Sequence, residues 1–163
     1  MTTFVLVPGF WLGAWAWRPV TAELRGHGHD VYPLSLTGLG ERAHLARPDI
    51  DLDVHVTDVV NLLHYEDLRD VVLVGHSYGG IVTTAAADRV AGRVARLVYV
   101  DSGPLPDGAS QADFSPPDES AIDGDRLLPP DWAGLAAGRP DVDAATVALL
   151  AERAVPQPRA TAT

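Results

Sequence analysis

Val71 to Gly80 reads V-V-L-V-G-H-S-Y-G-G, four β-favouring apolar residues running straight into Gly75, Ser77 and Gly79. The G-x-S-x-G spacing marks a buried strand that turns sharply into a helix and lifts a serine above the sheet. On so tight a bend the serine's backbone is strained. Residues two before and two after it approach so closely that a Cβ would clash, which selects glycine at both places. The residues that follow predict a helix from roughly Gly79 to Ala91, with Val82, Ala85, Ala86 and Val90 on the face toward the strands. The N-terminus of that helix directs partial positive charge at Ser77, where charge on a reacting oxygen would develop. The plainer alternative is a glycine turn whose serine only caps the helix.

The rest of the chain supplies neighbours for that strand. Phe4 to Val7 is a continuous apolar run closed by Pro8-Gly9, the pattern of a parallel strand covered on both faces. A helix beginning near Pro19 and ending at Gly26-His27-Gly28 places Trp17, Val20 and Leu24 on one face. Val31 to Leu36 predicts a second strand, which Pro33 pushes toward an edge, and a polar loop spans Thr37 to Pro48. Leu52, Val56, Val59, Val60 and Leu63 recur at helical spacing, so Asp51 to Tyr65 predicts a helix with an acidic start. Ala95 to Val100 supplies a fourth strand, ending at Asp101. Alternating strands and helices predict an α/β fold with an open, mostly parallel sheet over residues 1–103. Its carboxyl edge, where ligands bind in such sheets, collects Phe10, Ser77 and Asp101.

From residue 104 to 163 the texture changes. Proline pairs at Pro104/Pro106, Pro116-Pro117 and Pro129-Pro130 punctuate an acidic stretch carrying Phe114, Ile122, Leu127, Leu128 and Trp132. Apolar residues scattered through such a segment predict a partial cap, or lid, lying across the strand ends. Val147, Leu150 and Ala154 predict a helix over Asp143 to Ala154, and the tail Val155-Pro156-Gln157-Pro158 predicts no further strand.

Composition narrows the functions. A chain of 163 residues suits one domain with a core, and 47% hydrophobic against 21% charged residues argues for a globular chain. The net charge of −10, from 22 acidic and 12 basic residues, opposes phosphate backbones and anionic lipid, so neither nucleic acid nor membrane is an expected partner. The absence of cysteine excludes a disulfide framework and thiolate metal sites. Met1-Thr2-Thr3 leads into Phe4 with no basic leader or signal-length apolar run, and the expected location is cytoplasmic. Carboxylates in Asp49 to Asp53 and Asp118 to Asp125 lack calcium-loop glycine and glutamate and read as caps and turns. No metal and no cofactor are expected.

Three stretches together resemble the α/β-hydrolases of the methylesterase and hydroxynitrile-lyase branch: Pro8-Gly9-Phe10-Trp11 with Gly13-Ala14-Trp15-Ala16-Trp17, then Gly75 to Gly80, then Leu97 to Asp101. The resemblance implies a serine hydrolase acting on a small ester, with Ser77 as nucleophile and the backbone amides of Phe10 and Tyr78 as oxyanion donors. Two preorganised amides on a tetrahedral intermediate remove several kcal/mol of barrier, which makes that arrangement physically sensible. This branch usually has histidine where the chain has Pro8. The superfamily's triad runs Ser, acid, His, yet His27, His29, His44, His55, His64 and His76 all precede Ser77. The family's last two strands, with the loops that carry acid and histidine, are therefore expected to be missing after Thr163. Two alternatives stay open: a catalytically silent hydrolase-like domain that binds a small apolar ligand or a partner, and a hydroxynitrile-lyase-like enzyme.

A serine hydroxyl without a base is a poor nucleophile near neutral pH. His44, in the loop after the second strand, and Asp101, beside the elbow strand, are the weak candidates for base and orienting acid. His76 is expected to pack away from Ser77, His27 and His29 to be solvated, and His55 and His64 to lie on the surface of their helix. Trp11, Trp15 and Trp17 are candidates for a pocket wall, or for core. With the last strands missing, Ala95 to Val100 becomes an unprotected edge, where Leu97, Val98 and Val100 suit water poorly. Three outcomes are expected of such an edge: pairing with a second copy, completion by another chain, or low stability.

Overall fold

The computed structural model describes residues 1–163. The strands β1 (Thr3–Val7), β2 (Asp30–Pro33), β3 (Val71–His76) and β4 (Val94–Val100) form one sheet in the order β2-β1-β3-β4, parallel throughout. The helices α1 (Arg18–Gly26), α2 (Leu52–Tyr65) and α3 (Tyr78–Arg89) connect them. Parallel neighbours require such crossovers, because a tight turn cannot carry the chain back to the starting end.

Side chains alternate across the strands, and both faces are covered. Val5 and Val7 of β1 join Val71 and Leu73 of β3 against Val56, Val59 and Leu63 of α2 and Val82 and Ala86 of α3. Leu6, Val31 and Val74 point the other way and meet Trp17 and Leu24. Asp51 accepts a hydrogen bond from the Val54 amide and caps α2, while Pro19 sits in the first turn of α1.

The face of α1 differs from the one predicted at one place. Val20 is 42% exposed and Thr21 is buried in its place, while Trp17 and Leu24 pack toward the sheet as predicted. The second strand stops at Pro33, short of Leu36, with a last bond from the Leu34 amide to the Leu6 carbonyl; β2 is an edge strand, and the missing N–H of Pro33 falls on its open side. The loop after it contains a 3₁₀ turn over Gly40–Leu45.

Past β4 the chain crosses back over the carboxyl edge through α4 (Gln111–Phe114), β5 (Ile122–Asp123), β6 (Arg126–Leu127), α5 (Trp132–Ala136), α6 (Ala144–Arg153) and β7 (Gln157–Pro158). The tail therefore does contain a strand, contrary to the expectation from sequence. Leu127 pairs with Gln157 and Arg126 with Pro158, making a small antiparallel sheet β5-β6-β7. Leu127 and Gln157 are both buried, and buried backbone groups need partners, which a two-residue ladder supplies. No helix is long and apolar enough to cross a membrane.

Candidate active site

The bend between β3 and α3 has the geometry its glycines imply. Ser77 sits at φ +52° and ψ −126°, a conformation that costs a side-chain-bearing residue roughly 1–3 kcal/mol and persists only when its surroundings enforce it. A Cβ on Gly75 would lie 2.5 Å from the Gly79 carbonyl oxygen, and one on Gly79 would lie 2.5 Å from the Val7 oxygen. From the β4 side, the Ser77 amide donates to the Val100 carbonyl at 3.1 Å, and the Ser102 hydroxyl donates to the Ser77 carbonyl at 2.6 Å. Ser77 Oγ makes no capping bond to α3, so the plain helix-cap alternative does not hold.

Gly9 brings the loop after β1 against this bend, since a Cβ placed on it would lie 3.0 Å from Ser77 Cβ. Phe10 follows, and its ring stacks on Tyr78 with centroids 4.4 Å apart. Its amide, in the turn after β1, donates to no backbone carbonyl. Tyr78 is the first residue of α3, where a helical N–H has no intrahelical acceptor. Two amide-bearing residues from separate loops thus flank one serine, at the positive end of a 12-residue helix.

Behind Tyr78 lies a group that sequence reasoning misplaced. His55 is 0% exposed, not on the surface: its Nδ1 is 2.9 Å from the Tyr78 hydroxyl and its Nε2 is 2.8 Å from the Thr37 carbonyl. A carbonyl oxygen only accepts, so Nε2 carries the proton, and Nδ1 accepts from the tyrosine hydroxyl. Burial pushes the His55 pKa down, with the Thr37 bond and Asp58 acting in the opposite direction. The Tyr78 hydroxyl is pushed up, again chiefly by burial. Asp58 accepts from the Thr37 amide and hydroxyl and from Arg42, tying the same loop to α2. The missed signal was spacing: His55, Val59 and Leu63 are four apart on α2, and all three are buried.

Ser77 opens on a cleft of 310 Å³ whose walls include Phe10, Trp11, Leu127, Leu128 and Pro130. The segment after β4 supplies most of that wall. A larger depression of 420 Å³ lies around Arg25, His29 and Tyr32 along β2, on the far side of β1 from β3. It contains no residue of the serine site. Trp11 reaches the cleft, while Trp17 packs beneath the sheet, with its ring 6.4 Å from that of His76.

No histidine lines the cleft. His44 is exposed in the 3₁₀ turn after β2 and takes no part in the cleft wall. His76 is half-buried, and burial lowers its pKa against the opposing pull of Asp101. His27 and His64 are exposed, as read from sequence, but His29 is half-buried against Phe4 with its Nδ1 unpartnered. Asp101 is exposed at the end of β4 with φ +48°. The carboxylates of Asp51 and Asp118 are a helix cap and a turn cap, as read from sequence.

The model of the alpha/beta hydrolase family matches residues 4–163. The chain belongs to the alpha/beta hydrolase family. Among relatives of this chain, the carbendazim hydrolyzing esterase of Nocardioides sp. (strain SG-4G) is 48% identical over 102 residues, which are 63% of this chain and 42% of that protein. Methylesterase 8 of Arabidopsis thaliana is 31% identical over 132 residues, 80% of this chain and 47% of that protein. The chain thus spans under half the length of either of these relatives. An extracellular alpha/beta-hydrolase from a Paenibacillus species superposes with a TM-score of 0.86 at 28% identity, covering 99% of this chain and 69% of that one.

Proposed function

We propose that this hydrolase is a serine carboxylesterase for small esters, with Ser77 as the nucleophile and the Phe10 and Tyr78 amides as oxyanion donors. The observation that supports it most is the Ser77 backbone: a strained φ of +52°, an uncapped hydroxyl and an outlook onto a cleft faced by Phe10. In that reading Ser77 Oγ attacks the ester carbonyl and the carbonyl oxygen takes up negative charge between the two amides. The charge sits at the N-terminus of α3, and the alcohol leaves as the acyl-serine forms. Its likeness to an esterase and a methylesterase supports an ester as substrate, and the cleft of 310 Å³ walled by Phe10, Trp11, Leu127 and Leu128 favours a small apolar one. The chemistry also requires a group that accepts the Ser77 proton, and no cleft residue is a histidine. That observation favours a second reading, a cleft that binds a small apolar ligand without turning it over.

A fluorophosphonate probe separates the two. Stoichiometric labelling that disappears in Ser77→Ala supports the esterase, and an unlabelled protein that still binds an apolar fluorescent dye in the cleft supports the silent domain. The outer edge of β4, with Ala95 and Arg96 exposed and Val100 40% exposed, supports pairing with a second copy or a completing chain. Sedimentation equilibrium tests this pairing, since a monomer mass that holds at every loading concentration and after mixing with extract argues against it.

A further inference from the structure

Trp11 is an unusual residue for the position it holds. It follows Phe10 directly and adopts φ +66°, a left-handed conformation that bulky side chains avoid. Three of its polar atoms are tied to the lid. Its amide donates to Gln157 Oε1 at 3.1 Å, its carbonyl accepts from the Val155 amide at 3.0 Å, and its indole N–H donates to the Leu127 carbonyl at 3.0 Å. Of these acceptors and donors only Gln157 Oε1 belongs to a side chain, and that side chain is 0% exposed. Its other end is also satisfied, because Nε2 donates to Thr161 Oγ1 at 2.8 Å while Thr161 donates to the Pro158 carbonyl at 2.6 Å. A buried amide with both ends engaged holds one orientation, since turning it over would oppose two donors and two acceptors.

The peptide plane between Phe10 and Trp11 is fixed by these bonds, and Phe10 is fixed from its other side by the stack on Tyr78. The backbone of Phe10 is therefore set from two directions, the helix α3 and the lid strand β7. The polar chain from Trp11 runs through Gln157 to Thr161 and ends on the Pro158 carbonyl, within the lid itself.

We propose that Gln157 is a positioning residue, a latch by which the lid holds the loop after β1 in the conformation that presents the Phe10 amide to the reacting oxygen. This rests on the carboxylesterase reading of Ser77. Gln157 itself touches no substrate, being absent from the cleft wall. Opening the latch should leave ester binding nearly unchanged and slow the chemical step, because the contact it governs is made with the oxyanion and not with the ground-state ester.

The test compares Gln157→Met, which removes both hydrogen-bonding ends at similar volume, with Thr161→Val, which leaves the bond to the Trp11 amide in place. Amide hydrogen exchange and hydrolysis of a p-nitrophenyl ester are read on each, with Gln157→Glu as the conservative variant that keeps an acceptor oxygen. Expected in Gln157→Met is faster exchange at Trp11 with β3 amides unchanged, and a kcat lowered by roughly 10- to 100-fold at a KM within about 3-fold, a partial loss of an oxyanion donor. Thr161→Val and Gln157→Glu should keep kcat within about 5-fold of the wild type. An unchanged kcat in Gln157→Met despite faster Trp11 exchange overturns the latch while leaving the esterase intact. Equal losses in Gln157→Met and Thr161→Val also overturn it, as a general packing effect. If Gln157→Met does not fold, Gln157→Asn, whose shorter amide draws back from the Trp11 N–H, takes its place: faster Trp11 exchange with a kcat lowered by roughly 10- to 100-fold supports the latch, and an unchanged kcat overturns it. A wild type that turns over no ester overturns the carboxylesterase reading and the latch with it, and the exchange difference at Trp11, still visible, marks that outcome as a failure of the chemistry.

Discussion

Replacing His55 by leucine tests whether the wall behind the bend is held by its polar pair or by packing alone. The change keeps apolar bulk on the buried face of α2 but strands two groups, the Tyr78 hydroxyl and the Thr37 carbonyl, each of which bonds one imidazole nitrogen. A buried polar group left unpaired costs about 1–3 kcal/mol, so the two together should cost roughly 2–6 kcal/mol, partly offset by leucine's greater apolar transfer. Tyr78→Phe strands only His55 Nδ1 and keeps the stack on Phe10, for a cost of about 1–2 kcal/mol. In the double variant the Tyr78 hydroxyl is no longer there to be stranded, and only the Thr37 carbonyl remains unpaired. The double variant should therefore be more stable than the sum of the singles implies, by about 2–5 kcal/mol of coupling, the cost of stranding the Tyr78 hydroxyl in one single variant and His55 Nδ1 in the other. Urea unfolding followed by tryptophan fluorescence, with linear extrapolation, gives all four free energies. Additivity within about 0.3 kcal/mol would refute the hydrogen-bonded pair.

Three further outcomes follow from the same geometry. Gly79→Ala would drive a methyl into the Val7 and Pro8 carbonyl oxygens, backbone atoms that cannot rotate away, so a destabilisation of roughly 2–4 kcal/mol with loss of any Ser77 labelling is expected by urea unfolding and probe gels. Stability should fall as pH drops below 6.5, the ordinary histidine value: His55 and His76 are both depressed by burial, so the unfolded chain takes up protons that the folded chain refuses. Thermal melts from pH 7.5 to 5 check this, and in His55→Leu the slope should become shallower. Asp51→Ala removes the α2 cap and should cost about 0.5–2 kcal/mol, read by the same melts.

The bend at Ser77 was legible because sterics leave so few choices there: two backbones approach within a Cβ's reach at Gly75 and Gly79, and only glycine satisfies that wherever the rest of the chain goes. The strands were legible for a related reason, since Val5 to Val7 and Val71 to Val74 must be covered on both faces and read as unbroken apolar runs. His55 was not, because an apolar stripe drawn from Leu52, Val56 and Val59 treats an intervening histidine as solvent-facing. Its partner, Tyr78, comes from a different element, 23 residues away. Gln157 was further out of reach: it sits between two prolines in a stretch with no periodicity, and its role depends on Trp11, 146 residues earlier in the chain. The face of α1 was misjudged at one place, where Thr21 is buried and Val20 is not, while Trp17 and Leu24 pack as read.

In the proposed mechanism the strained Ser77, the Phe10 amide from the loop after β1 and the Tyr78 amide at the start of α3 surround a single point. A crystal structure of the protein after reaction with a fluorophosphonate tests it directly. Phosphorus bonded to Ser77 Oγ, with its oxygen within about 3.2 Å of both the Phe10 and Tyr78 nitrogens, is the result the account predicts. An adduct on another residue, or an adduct oxygen that meets only one of those amides, would contradict it.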